Sequence, residues 1–337
     1  MIILSIVLTI LLSFTIMENS VADYTEINFE NEIIVAVEWS PDGNTLVIGA
    51  MDGSVWLYDI NEETRLELIG HSSRLYSISW SANGSMLATS ADVFRELTNE
   101  ELIVTENAMS DYDVRGEVIV WGINQQEVIS THSYNAYSIA WHPILPILAI
   151  GSDGGEVFLF NPANDEPIQQ VRERTPDVQG DQILSLCWVT DTSLLAVLTY
   201  SELNLVDTEE VNIIDLDFGA PFHSIDCDSN NEHIVISFGT IWNTPNQERL
   251  SRYEDNPENS FAVKWHPIND IIATRGQESI HIWDAITRQT EITLNSSFMD
   301  IDWGYTDSIS WHPDGTLLAE ATQDDFVRIW QIDINND

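Results

Sequence analysis

Few side chains in this chain have the type and spacing to do chemistry. Eight histidines and two cysteines are scattered along 337 residues, and Lys264 is the only lysine. His71, Ser90 and Asp92 make a His–Ser–Asp set. In a cleft such a set would suit hydrolysis through an activated hydroxyl. Asp111 with Asp113, and Asp324 with Asp325, are the acid clusters best suited to a cation. No run has the ligand spacing and closing Glu of a calcium loop. There is no Gly-rich phosphate loop, no His-Glu-x-x-His pair, no nucleophile elbow and no Cys/His metal spacing. The expectation is therefore no catalytic residue, no cofactor and no resident metal. His142, His266 and His312 each precede a proline at one repeated position, which implies a role in a turn.

That position belongs to a nine-residue segment that occurs seven times: VAVEWSPDG (35–43), YSISWSANG (76–84), YSIAWHPIL (137–145), LSLCWVTDT (184–192), HSIDCDSNN (223–231), FAVKWHPIN (261–269) and DSISWHPDG (307–315). The second column is always Ala or Ser, and the third is always Val, Ile or Leu. The fifth is Trp39, Trp80, Trp141, Trp188, Trp265 or Trp311, with Cys227 in the remaining copy. Each segment is followed by a turn, an apolar run, an Asp/Gly turn and an alternating run such as SVWLYD (54–59) or SIHIWD (279–284). Short β-branched and aromatic runs split by such turns read as antiparallel hairpins. A weaker fourth run, as in RLELIGH (65–71), closes most units. Four strands at a pitch of about 40 residues describe a propeller blade.

The segments, with Gly70-His71, Trp283-Asp284 and the Asp-Gly turns, resemble the WD-repeat β-propeller family over roughly residues 24–332. The resemblance implies an all-β, seven-bladed propeller of four-stranded antiparallel blades. Blades four and five carry few of the marks. In the family a blade is often braced by a hydrogen-bonded His, Ser/Thr, Asp and Trp, and the best match here is His71, Ser90, Asp92 and Trp121. On that reading the hydrolase-like set is a structural network that satisfies buried polar groups. The last copy ends after its third strand. Tyr24–Glu30 alternates and fits the missing outer strand, so the N-terminal strand closes the ring, as the family does. Closure removes an exposed sheet edge.

Met1–Ile16 is continuously apolar and Ser20-Val21-Ala22 offers a cleavage site. The expectation is a signal peptide over 1–22 and an exported propeller over 23–337, the alternative being a membrane anchor formed by residues 2–16. The 55 acids against 12 Lys plus Arg leave a net charge of -43, which repels nucleic acid and anionic lipid. Cys187 stands in the fourth column and Cys227 in the fifth. Neighbouring strand positions point to opposite faces, so the two are expected to stay apart as small buried hydrophobes. Two insertions, Val93–Arg115 in blade two and Val171–Gln182 ahead of blade four, fall by the family's layout on the face of the fourth-to-first strand loops.

The first column reads Val35, Tyr76, Tyr137, Leu184, His223, Phe261 and Asp307. Its chemistry varies, so blade packing alone does not dictate it. Tyr76, Tyr137, His223, Phe261 and Asp307, with Arg74 beside Tyr76, form the candidate partner-binding rim around the channel mouth. WD-repeat propellers generally act as platforms, so the resemblance implies a non-catalytic scaffold, expected to be a monomer, for a protein or peptide. The alternatives are an exported propeller hydrolase or lyase with its site at the channel mouth, a cation-binding acidic propeller, and an appendage that has lost a partner domain. The charge imbalance carries one expectation of its own. Mutual repulsion of carboxylates is screened over ~10 Å at 0.1 M salt, so the melting temperature should rise as NaCl goes from low to molar concentration. A flat or falling trend in calorimetry would mean that the charges are already neutralised locally.

Overall fold

In the computed structural model each repeated segment forms the innermost strand of a four-stranded antiparallel sheet, and there are seven such sheets. The structure describes residues 22–334 apart from 97–111, 125–126, 133–135, 163–168, 174–181, 190–192, 201, 216–222, 230–231, 238, 245–247, 253–259, 297–306 and 323. The proposed signal segment, Asp111 and most of the second insertion therefore lie outside the described residues. Each inner strand touches the inner strand of the next blade, and Ile309–Trp311 returns to Ile34–Trp39, so the sheets form a closed ring. Blades four and five are four-stranded like the rest, despite their sparse sequence marks.

The ring closes as the alternation of residues 24–30 implies. Strand Tyr24–Asn28 pairs with Phe326–Gln331 in register Tyr24↔Trp330 to Asn28↔Phe326. Arg328 Nε lies 2.9 Å from Glu26 Oε1, and the Tyr24 and Trp330 rings are 4.6 Å apart. The apolar core lies between blades rather than at the ring's centre. Leu186, Trp188 and Val197 of blade four, for example, pack on Val157, Leu159 and Val171 of blade three.

Neighbouring blades are joined at one recurrent place: the fourth column of a blade against the fifth column of the next. The Trp39 N–H donates to Ser310 Oγ at 3.1 Å, the Trp141 N–H to Ser79 Oγ at 3.1 Å and the Trp265 N–H to Asp226 Oδ2 at 2.6 Å. The Trp80 N–H donates to the Glu38 carboxyl. Where the fourth column offers no acceptor side chain, the indole donates instead, from Trp188 Nε1 to Ala140 O at 3.1 Å and from Trp311 Nε1 to Lys264 O at 3.3 Å. The remaining seam, between blades four and five, is covalent. Cys187 and Cys227 form a disulfide with Cα atoms 5.8 Å apart. This corrects the expectation that they stay apart. Alternation separates columns four and five within one strand, but it does not govern columns on two different strands.

The second column has a parallel duty. The Leu186 N–H donates to Ser138 Oγ at 3.0 Å and the Ile225 N–H to Ser185 Oγ at 3.1 Å, each across a seam. Ala36 cannot serve blade two in this way. There the Ile78 N–H donates to Asp307 Oδ2, 3.1 Å away, from blade seven. The prolyl-linked histidines also cross seams. His266 Nδ1 accepts from the N–H of Ile268 and of Asn269 at 3.1 and 3.0 Å, while its Nε2–H donates to Gly315 O of the next blade at 3.1 Å. His312 Nε2 bonds Gly43 O at 3.0 Å. Gly43 and Gly315 have φ of +72° and +78°, and a Cβ on either would sit 2.3 Å from the histidine ring. Both the backbone conformation and the close approach require glycine there.

The insertion in blade two begins as structure. Strands Met86–Glu96 and Tyr112–Gly122 pair from Met86↔Gly122 to Glu96↔Tyr112. The inner strand stops at Leu75↔Ala91 and the outer at Val118↔His132. The hairpin therefore runs on alone past the blade, by about 17 Å for five residues.

Between blades six and seven the Arg275 guanidinium meets the Glu320 carboxylate at 3.1 Å, both fully buried. Trp330 Nε1 donates to the other carboxylate oxygen at 2.7 Å, and the Ser296 hydroxyl bonds the first. Removing one member of such a pair leaves a buried charge, at a cost of about 3–5 kcal/mol. Arg275→Met should lower unfolding free energy in urea by that order, and adding Glu320→Gln should restore much of it. Equal losses in the single and double variants would show that the pair is not the cause.

Candidate functional site

The sequence-derived rim divides into a part that assembles and a part that does not. Tyr76 and Tyr137 are the second residues of the inner strands Leu75–Trp80 and Ala136–Trp141. Each follows a buried residue, Leu75 or Ala136, that anchors the strand, and each is itself half-buried. Their rings meet edge-on at 4.6 Å. The Arg74 guanidinium lies 4.8 Å from the Tyr76 centroid, within cation–π range. The Tyr76 hydroxyl donates to Asp92 Oδ2 at 2.7 Å. Burial, then this bond, raises the Tyr76 pKa, and burial also raises those of Tyr137 and Asp92. The phenols stay protonated at neutral pH. The cluster offers aromatic surface, a cation and hydrogen-bonding oxygens, with the blade-two hairpin continuing from Asp92 beside it.

Phe261 does not belong to this surface. It is 1% exposed and belongs to a buried apolar cluster, with the Arg275 guanidinium 5.9 Å from its ring. Asp307 is turned to the channel and Ile78. His223 is half-buried, its N–H donates to Ser237 Oγ at 3.0 Å, and burial lowers its pKa so that the ring is neutral at pH 7. One column of a repeat thus has different exposures in different blades.

The bracing network needs two replacements. His71 Nε2 is 2.7 Å from Thr89 Oγ1, which accepts from Trp121 Nε1 at 2.8 Å, and His71 Nδ1 meets Glu117 Oε1 at 2.9 Å. Thr89 and Glu117 stand where Ser90 and Asp92 were expected. Ser90 is on the other face of its strand by alternation, and Asp92 is engaged by Tyr76. The His–Ser–Asp set is therefore not a triad.

The structure also assembles a site that the first column did not reveal. Glu38, Asp226 and Lys264, all fourth-column residues, converge with Asp307 on a channel cavity of about 200 Å³. Lys264 Nζ is 3.5 Å from Asp307 Oδ1. Burial pushes the Glu38 pKa from 4.5 up to about 8, with Lys264 opposing and Asp307 adding to the rise. Asp226 is raised chiefly by burial. The neighbouring carboxylates overcome burial at Lys264 and raise its pKa, so it remains an ammonium, not a base or nucleophile. The available signal was the lone lysine sharing a column with two acids. Among the described residues no group of three or more His, Cys, Asp or Glu has metal-binding geometry.

Two family models match parts of the chain: the anaphase-promoting complex subunit 4 WD40 domain over residues 24–83 and the WD domain, G-beta repeat, over 305–331. WD repeat-containing protein slp1 of Schizosaccharomyces pombe is 20% identical over 304 residues, covering 90% of this chain and 50% of that protein. Protein FIZZY-RELATED 3 of Arabidopsis thaliana is 19% identical, again with 90% and 50% covered. The chain spans about half the length of these relatives. Among solved structures, the Myceliophteria thermophila Cps50 (Swd1) β-propeller domain superposes with a TM-score of 0.72 at 16% identity, covering 92% of this chain and 100% of that one. A chain of the Mitotic Checkpoint Complex gives 0.73 at 14%, covering 98% of each. These comparisons overturn the expectation of an exported protein, because slp1, FIZZY-RELATED 3 and the Mitotic Checkpoint Complex chain are intracellular. The support for export was an apolar run, with no basic residue ahead of it, and the small residues Ser20-Val21-Ala22 that follow. No helix of the described residues is long and apolar enough to cross a membrane.

The raised Glu38 pKa has a signed consequence. A carboxyl whose folded pKa exceeds its unfolded one takes up protons on folding. Its stabilisation is complete below the unfolded value and is lost as pH rises through the folded value. Urea-unfolding stability should therefore fall from about pH 5 to about pH 8, and Glu38→Gln should make that fall shallower. An unchanged slope would place the titration elsewhere.

Proposed function

The chain belongs to the WD-repeat β-propeller family, and we propose that it is a non-catalytic platform binding a protein or peptide at the rim formed by Tyr76, Tyr137 and Arg74. The observation that carries this reading is the half-exposed aromatic pair with its stacked arginine, set beside a hairpin that outruns its blade. Tyr and Arg are the residue types that dominate interface energetics. The acidic surface disfavours nucleic acid as the partner. Relatives of the propeller include a chain of the Mitotic Checkpoint Complex, an assembly of proteins, which supports a protein partner.

The channel cluster is what an enzymatic reading would require, since ionisable groups with shifted pKa values converge there. Two features favour a structural role. The cavity of about 200 Å³ is below the ~300–1,000 Å³ of ordinary ligand sites. Its carboxylates already receive backbone N–H groups at the blade seams.

The test replaces Tyr76 and Tyr137 by Ala together and compares partner recovery from native extract with thermal unfolding. Affinity should fall by about 2 kcal/mol or more, with little change in melting temperature. A stability loss of several kcal/mol, as in truncation of a core aromatic, with partner recovery unchanged, would make the pair packing rather than a site.

A further inference from the structure

We infer that the Cys187–Cys227 bond is a reversible thiol-exchange site, reached through the channel, that latches the seam between blades four and five. Three observations carry it. The bond stands where the other seams have a hydrogen bond to or from a tryptophan, and blade five is the one whose fifth column is not Trp. Cys187 and Cys227 both line the channel cavity, and Cys227 is partly exposed. The inner strand that carries Cys227, Ile225–Cys227, has only three residues, as has blade seven's Ile309–Trp311, and the apolar core shared with blade four persists on reduction. The seam keeps the Ile225 N–H bond to Ser185 Oγ at 3.1 Å, so reduction loosens the blade without freeing it. Relatives of this chain work in the cell interior, where thiols keep most disulfides reduced and those that form are usually transient.

The co-reactant is a small monothiol. Its thiolate attacks Sγ of Cys227, the more accessible sulfur. The S–S bond breaks, and Cys187 leaves as a thiolate that takes a proton from water. A second thiolate attacks the mixed disulfide, Cys227 leaves and is protonated, and the two small thiols depart as their own disulfide. Two electrons pass from the small thiols to the cysteine pair. The reverse exchange, with the small disulfide as oxidant, restores the latch.

The channel's charge decides which thiol reacts best. Above about pH 8, where Glu38 is ionised, Asp226, beside Cys227, together with Glu38 and Asp307 faces a single ammonium, Lys264. A net negative passage repels an anionic thiolate and attracts a thiol carrying an ammonium group. In the native protein, above that pH, cysteamine should reduce the bond several-fold faster than 3-mercaptopropionate after correction for thiol pKa, and molar NaCl should shrink the difference.

The experiment joins that rate comparison to thiol counting, melting and hydrogen exchange. Native protein equilibrated with a thiol–disulfide buffer should show no free thiol at the oxidising end and two at the reducing end. Reduction should lower the melting temperature by roughly 5 °C or more and speed amide exchange in the strands Ile183–Trp188 and His233–Ile236. Cys227→Trp should ignore reductant. Should that variant not fold, Cys187→Ala with Cys227→Ala should melt like reduced wild type under both conditions. Two free thiols at every poise, reduction only on unfolding, or equal melting of both forms would overturn the latch. Equal rates for the two thiols would overturn the channel route.

Discussion

The structure depends on how one backbone group is satisfied where two blades meet. An inner strand pairs along one edge with its own blade. Its other edge faces the channel and the neighbouring blade, where a buried, orphaned N–H is costly. The fifth-column N–H is therefore served from the fourth column of the preceding blade, by a serine hydroxyl at Trp39 and Trp141 and by a carboxylate at Trp80 and Trp265. Where that column is Ala140 or Lys264, its carbonyl accepts the next indole instead. The tryptophans are thus both wedges and, at two seams, donors. A single geometric relation recurs round the ring with different chemistry, and the disulfide is its covalent case.

Using carboxylates at these seams places charge in the channel. Glu38 and Asp226 accept seam N–H groups, and Asp307 reaches the Ile78 N–H that Ala36 cannot serve. Three acids in a narrow, low-dielectric passage repel one another, and Lys264 offsets part of that repulsion. The cluster follows from the hydrogen bonding of the ring, and its raised carboxyl pKa values follow from burial. The sole lysine of a strongly acidic chain is spent there.

The rim carries different constraints. Tyr76, Tyr137 and Arg74 are held by one another and by Asp92, not by the deep packing that fixes Phe261. Their scaffold is rigid because the inner strands are bonded on both sides. A surface so placed presents aromatic area with little entropy left to lose on contact. The hairpin past Ala91 gives this sector a neighbour that the other described blades do not have.

What the sequence determined by itself was whatever depends on local order. The columns of Ala/Ser, Val/Ile/Leu and Trp identify the inner strands. The Asp-Gly turns bound the hairpins, and the alternation of residues 24–30 places the closing strand. These are legible because side-chain direction within a strand has period two and turns demand particular residues. The turn role of His142, His266 and His312 was legible for the same reason, but their reach to the next blade was not. The tertiary structure decided everything that crosses a seam: the cysteine pairing, the choice of Thr89 over Ser90, the meeting of Glu38, Asp226 and Lys264 with Asp307, and the burial of Phe261. Those meetings depend on the stagger and tilt between blades, which set which column of one strand faces which column of a strand some 40 residues away. Alternation along a single strand contains no information about that offset.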